Sequence, residues 1–295
     1  MILSIKYILM NLYKTNASRI YFILVVFFIP FMSLNAQKAE TDSFSLTVTI
    51  PSDAMDTVYQ AMVFLPENYY LSKDSFPVVY LLHGYTGYYD NWFEREPKLP
   101  EYSTRYKMIV VTPEGTSNSW YIDSPVDTTS KFETYIAEEV PGWIDDHFRT
   151  LRNKENRAIC GLSMGGHGAL TIAADHQYRF GAAGSMSGVL DFRPFNKKWN
   201  LRQILGKYSE FPGNWYKYSF VFKIPELKNS SLAILIDCGV DDPFFEVNKE
   251  VHQELINKNI PHDFFIRPGG HSWDYWKNAL PYHLLFFQNY FEKAN

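Results

Sequence analysis

"RAICGLSMGGHGALTIAA", residues 157–174, decides how the rest of the chain is read. A short apolar run ends in Gly161-Leu162-Ser163-Met164-Gly165, a G-x-S-x-G pentapeptide, and small residues at helical spacing follow it. The pentapeptide alone recurs by chance in many proteins. The order strand, pentapeptide, helix is more specific, because it describes a sharp strand-to-helix elbow. Gly161 and Gly165 allow the turn and a close helix–strand approach, and the elbow lifts Ser163 Oγ clear of a sheet. The alternative is a serine that merely caps its own helix.

Outward from the elbow, "FPVVYLLHG" (76–84), "KMIVVTPEG" (107–115), "RAICG" (157–161) and "LAILIDCG" (232–239) are continuous apolar runs ending in glycine. Such runs suit parallel strands covered on both faces. "FSLTVTI" (44–50) and "TVYQAMVFL" (57–65) alternate instead, as half-buried antiparallel strands do. "FETYIAEEVPGWIDDHF" (132–148), "MGGHGALTIAADH" (164–176) and "FEVNKEVHQELINKN" (245–259) have helical spacing, and Pro141 is expected to bend or break the first. "HDFFIRPGG" (262–270) reads as a last strand. "WDYWKNALPYHLLFFQNYF" (273–291) reads as a closing helix interrupted at Pro281. Strands alternating with helices predict an α/β fold with a mostly parallel central sheet and helices on both faces. Residues 192–222, rich in Trp, Tyr and Phe, fit this alternation poorly. They read either as an aromatic cap over a site or as a packed surface excursion.

The chain has 295 residues, 46% hydrophobic and 20% charged, enough for a substantial core in one large domain. A net charge of −4 and the lack of a basic stripe argue against a nucleic-acid partner. Residues 1–36 carry Lys6, Lys14 and Arg19 ahead of the apolar run "IYFILVVFFIPFMSL" (20–34), with Ala36 at its exit. That pattern predicts a signal peptide, a secreted or periplasmic mature domain over 37–295, and no stable membrane association once the leader is cleaved. The alternative is an uncleaved anchor, for which the run is short. Cys160 and Cys238 each end an apolar run before a glycine and read as buried strand ends. Two cysteines make neither a disulfide framework nor a zinc site.

A nucleophilic serine needs a base, and imidazole is the usual one. Among eight histidines, His271 follows the last strand in a glycine-rich loop, at the sheet edge expected for Ser163. His167 lies on the elbow helix four residues on and reads as a core histidine. His83 ends an earlier strand and is expected to shape an oxyanion loop. A carboxylate should follow "LAILIDCG"; Asp237, Asp241 and Asp242 are the candidates, and Asp237, within the strand end, is the least able to reach a histidine. The sequence Ser163…Asp242…His271 follows the chain order of α/β hydrolases. The backbone N–H groups of Tyr85 and Met164 are the candidate oxyanion donors. No cofactor or metal is implied.

"LLHGYTG", "VVTPEG…NSWY", "CGLSMGGHGAL", "IDCGVDD" and "PGGHSWDYW" together resemble the esterase D group of α/β hydrolases, over roughly residues 44–291. That group includes S-formylglutathione hydrolases, tributyrin-type and feruloyl esterases, and mycolyltransferases of the antigen 85 type. The resemblance implies Ser163, Asp242 and His271 as a catalytic triad, with Tyr85 and Met164 as oxyanion donors. It also implies hydrolysis of a small-molecule or polysaccharide-linked ester, such as an acetyl or feruloyl ester of plant polysaccharide. The alternatives are acyl transfer to a sugar hydroxyl, and a non-catalytic carbohydrate-binding protein on a hydrolase scaffold.

Overall fold

The computed structural model describes residues 44–294, so the leader expected over residues 1–36 lies outside the described residues. Eight strands form one sheet in the order β1-β2-β4-β3-β5-β6-β7-β8. β1 (Ser45–Ser52) and β2 (Thr57–Phe64) are an antiparallel hairpin, and β2 pairs antiparallel with β4 (Ile109–Pro113). From β4 onward every pair is parallel: β3 (Val78–Leu82), β5 (Arg157–Leu162), β6 (Ala182–Met186), β7 (Ala233–Gly239) and β8 (Asp263–Arg267). The fold is an α/β hydrolase fold with a mostly parallel sheet.

The continuous apolar runs have a simple cause. Along β3, Val78, Tyr80 and Leu82 enter one core, while Val79 and Leu81 enter another on the opposite face. Both faces are therefore covered, and no polar alternation survives. Helices α1 (Asn91–Arg95) and α2 (Leu99–Arg105) contribute Trp92 and Leu99 to the second core. α3 (Val140–His147) and α4 (Met164–Asp175) contribute Ile144 and Leu170 to the first.

Two helix expectations are corrected. Pro141 does not break its helix: a π-helical turn, Tyr135–Glu139, leads straight into α3, where the proline occupies the first turn. The π turn sends the Val140 N–H back five residues to the Tyr135 carbonyl, so the hydrogen-bond ladder changes register next to the proline that cannot donate. Pro281 does not interrupt the closing helix either, which runs unbroken from Trp273 to Ala294. Buried Ala279, Leu280, Leu284 and Phe287 pack on both sides of the proline, and that packing outweighs its lost hydrogen bond.

Residues 192–222 form short pieces, including α5 (Leu201–Leu205) and α6 (Pro212–Lys217). Their apolar residues divide between two surroundings. Leu201, Leu205, Trp215 and Phe220 are buried in the first core, whereas Trp199 only packs against it. α7 (Phe245–Asn257) and α8 (Trp273–Ala294) complete the layers.

Candidate active site

Ser163 stands at the junction of β5 and α4 with φ 53° and ψ −114°, a conformation that L residues rarely adopt. Its N–H donates to the Met186 carbonyl at 2.8 Å, and its carbonyl accepts from His167 at 3.0 Å. Surrounding backbone thus holds the strained turn. A Cβ on Gly161 would lie 2.6 Å from Gly165 C, and one on Gly165 would lie 2.6 Å from the Leu82 and His83 carbonyl oxygens. The elbow therefore requires glycine at both positions. Ser163 makes no side-chain capping bond to α4. Its Oγ lies 2.9 Å from His271 Nε2 instead.

His271 reaches the serine from the loop after β8, and Asp242 reaches the histidine from the loop after β7. The two loops cross with almost no space between them. A Cβ on Gly239 would meet the Gly269 carbonyl oxygen at 2.1 Å, and Gly269 itself has φ +126°. Val240 N–H donates to the Arg267 carbonyl and Asp241 N–H to the Gly269 carbonyl, each at 3.0 Å. This stitching brings His271 Nδ1 to 2.9 Å from Asp242 Oδ2, with the Asp242 side chain fully buried. A carboxylate can only accept, so the imidazole proton sits on Nδ1, and Nε2 is free to accept from Ser163. Phe244 and Trp276 present ring contacts at 4.9 and 4.8 Å, both nearly perpendicular to the imidazole, and fix its plane. Asp241 is exposed, and its side chain has no part in this chain of bonds. Asp237 is buried and bonded instead to Tyr275 Oη at 2.5 Å and to Arg267.

Of the two N–H groups singled out in the sequence, Tyr85 borders the cleft around Ser163, and Met164 opens α4 next to the serine. Thr86 N–H is taken by the Ser117 carbonyl at 2.7 Å and Gly87 N–H by the Gly84 carbonyl at 3.0 Å. The Tyr85 and Met164 N–H groups have no hydrogen-bond partner among the described residues. Two unpaired donors beside the elbow can receive a developing oxyanion. His83 anchors this loop from below. It is buried, its Nε2 accepts from Gly115 N–H at 2.9 Å, and its Nδ1 faces the Gly84 carbonyl at 2.9 Å. His83 ties the Tyr85 loop to the loop after β4.

The remaining histidines lie elsewhere. His167 is buried against Phe192, with Nε2 donating to the Tyr218 carbonyl at 2.7 Å, and burial pushes its imidazole down to about 4. Burial likewise pushes His283 down to about 3. His252 and His262 pair with each other at 2.7 Å. Cys160 and Cys238 are free buried thiols, both pushed well above the usual range by burial.

The cleft encloses about 640 Å³, and its walls are largely aromatic: Tyr85, Trp120, Trp199, Phe244, Trp273 and Trp276. Trp120 Nε1–H donates to the Trp199 carbonyl at 3.3 Å, and both residues have left-handed φ, 56° and 47°. Trp215, by contrast, is fully buried, with Nε1–H on the Gly206 carbonyl at 3.1 Å. Residues 192–222 therefore contribute one tryptophan to the cleft and one to the core. Asn91 and Arg95 also line the cleft and were not singled out in the sequence. Their one signal there is "NWFER", which sets a polar and a cationic residue four apart.

The chain matches the Esterase family model over residues 52–287. An acetyl esterase of Caldicellulosiruptor saccharolyticus is 27% identical over 248 residues, covering 80% of this chain and 89% of that relative. A diacylglycerol acyltransferase/mycolyltransferase of Mycobacterium bovis is 27% identical over 241 residues, covering 69% of this chain and 70% of its own length. A solved ferulic acid esterase superposes with a TM-score of 0.72 at 30% identity, covering 84% of this chain and 98% of that structure. This chain belongs to the esterase family and is a carboxylic-ester hydrolase on the α/β-hydrolase fold.

Proposed function

We propose that the protein is a secreted serine carboxylesterase that works through an acyl-enzyme, with Ser163, His271 and Asp242 as its triad. The observation that carries this reading is the continuous relay Ser163 Oγ–His271 Nε2 and His271 Nδ1–Asp242 Oδ2, 2.9 Å at each link. His271 takes the hydroxyl proton as Ser163 Oγ attacks the ester carbonyl, and Asp242 holds the imidazolium that forms. The Tyr85 and Met164 N–H groups bind the oxyanion; losing one such donor costs about 3 kcal/mol of transition-state stabilisation. His271 then protonates the departing alkoxide. In the second half it deprotonates water, which attacks the acyl carbon and releases the acid and free Ser163.

For the substrate, we propose an acetyl or feruloyl ester of plant polysaccharide. The aromatic cleft suits sugar and phenyl rings, and the similarity to an acetyl esterase and a ferulic acid esterase points the same way. Secretion is proposed from the basic-then-apolar N-terminus. A fluorophosphonate probe should label the native protein and fail to label Ser163→Ala. Turnover of p-nitrophenyl acetate, butyrate and octanoate beside methyl ferulate then ranks the acyl group. Absence of labelling in the folded native protein overturns the reading. Acylated sugar in place of free acid would move it to acyl transfer.

A further inference from the structure

The cleft carries one charge that the proposed mechanism does not use. Asn91 and Arg95 stand four residues apart on α1, which places both on one helix face, and both line the cleft. Trp92, between them, points the other way, fully buried with Nε1–H on the Leu82 carbonyl at 2.9 Å. Among the described residues lining the cleft there is no Asp, Glu or Lys, and Arg95 is the one permanent cation. Arg95 enters none of the ion pairs or hydrogen bonds found among the described residues, although Glu94 and Glu96 flank it in sequence. Glu96 is turned inward, with Oε1 toward the Lys98 N–H at 3.3 Å. Asp274 on α8 pairs with Lys277 at 3.3 Å.

Arg95 is nonetheless placed relative to the reacting atoms. Its guanidinium lies 5.9 Å from the Trp273 ring centroid, Trp273 lies 5.5 Å from Trp276, and Trp276 lies 4.8 Å from His271. An aromatic wall thus runs from the imidazole to an unpaired guanidinium at the mouth, on a protein whose net charge is −4. A guanidinium presents a planar fork of N–H donors that matches a carboxylate, and the cation–π contact with the Trp273 indole limits the freedom lost on binding.

We infer that the preferred esters carry a carboxylate, which Arg95 binds at the cleft mouth with Asn91 as a neutral hydrogen-bond partner. This rests on the esterase reading and narrows its substrate class. The carboxylate can belong to the acyl part or to the alcohol part, and the test separates them. Mono-p-nitrophenyl glutarate is compared with p-nitrophenyl pentanoate for the acyl side. Para-acetoxybenzoate is compared with para-acetoxybenzamide for the alcohol side.

The wild-type protein should favour the anionic member of one pair by about fivefold in kcat/KM, as expected for a solvent-accessible ion pair. Arg95→Gln should remove that preference by raising KM for the anionic member more than for the neutral one, and Arg95→Lys should restore part of it. Raising the ionic strength should weaken the wild-type preference. No preference in either pair, or equal losses on charged and neutral esters in Arg95→Gln, overturns the inference. Failure to turn over any ester would instead count against the esterase reading. Calorimetric titration then still decides, with para-hydroxybenzoate against para-hydroxybenzamide for the alcohol side and monomethyl glutarate against methyl pentanoate for the acyl side, since equal binding within both pairs by wild-type protein overturns the role of Arg95.

Discussion

Asp242 divides its carboxylate between two tasks: Oδ2 lies 2.9 Å from His271 Nδ1, and Oδ1 accepts from Phe244 N–H at 2.9 Å. By sequence alone, Asp242 ahead of Pro243 also reads as a helix N-cap, which would leave Asp241 to orient the histidine. In the structure α7 begins at Phe245, with Phe244 as its N-cap and no side-chain capping bond, so Asp242 orients the histidine while its other oxygen closes the turn ahead of the helix. Asp242→Asn keeps an oxygen for the Phe244 N–H but turns an amide donor toward Nδ1, which disfavours the Nδ1–H tautomer. Esterase kcat should fall by about ten-thousandfold, with the melting temperature almost unchanged. Asp241→Asn should keep most activity, because that side chain is exposed and unconnected to His271. Steady-state kinetics on both purified variants checks this; a near-wild-type Asp242→Asn would remove Asp242 from the triad.

Ser163 offers a contrast between activity and stability. Its φ of 53° is a cost that the fold sustains at the elbow. Ser163→Ala and Ser163→Gly should both be inactive, with losses approaching a millionfold. Only glycine relaxes the backbone, so Ser163→Gly should be more stable than Ser163→Ala by roughly 1 kcal/mol. Chemical denaturation of the two variants measures the difference, and equal stabilities would show that the elbow is not strained.

The two tryptophans of residues 192–222 should respond differently. Trp215→Ala empties a fully buried site and strands the Gly206 carbonyl, for a loss of about 3–5 kcal/mol in stability. Trp199→Ala removes cleft wall between Trp120 and Phe244. It should shift KM between short and aromatic acyl esters, with a smaller effect on stability. Thermal melts paired with kinetics on p-nitrophenyl acetate and methyl ferulate distinguish the two. A uniform loss on every ester in Trp199→Ala, with a matching drop in melting temperature, would count against a cleft role.

Strands with bulk on both faces were legible in the sequence, and so was the elbow, because β5 and α4 carry their own signals. β6 was not. Its sequence "AAGSM" has almost no apolar bulk, although it is central and fully buried. The reason is proximity. A Cβ on Gly184 would meet His283 Nδ1 at 2.4 Å, and one on Gly166 would meet Ser185 Oγ at 2.7 Å. α8 and α4 press on β6 from opposite faces and leave room only for small residues. The cleft walls were hidden for a different reason. Arg95, Trp120, Phe244 and Trp273 come from separate loops and helices, and no local pattern records that they converge. Pro281 misled because tertiary packing, invisible in the local sequence, holds its helix together.

Acid should unfold this protein through a histidine remote from the relay. His283 is fully buried beneath β6, and neither ring nitrogen has a hydrogen-bond partner among the described residues. Burial, aided by the Arg267 charge, pushes its imidazole from the ordinary 6.5 down to about 3. In the unfolded chain the same imidazole takes up a proton near its ordinary value. Between roughly pH 6.5 and 3 the unfolded state therefore binds more protons than the folded one, and stability rises with pH across that window. The contribution is fully present above pH 6.5 and is lost as pH falls toward 3. His167, pushed down to about 4, adds to the same slope. His283→Leu removes one titrating group without breaking a hydrogen bond, so its stability should fall less steeply between pH 7 and 4.5 than that of the wild-type protein. Urea unfolding at both pH values measures the two slopes. Parallel slopes would mean that His283 is already protonated in the folded protein, held by Asp237, whose Oδ2 lies 3.8 Å from its Nε2.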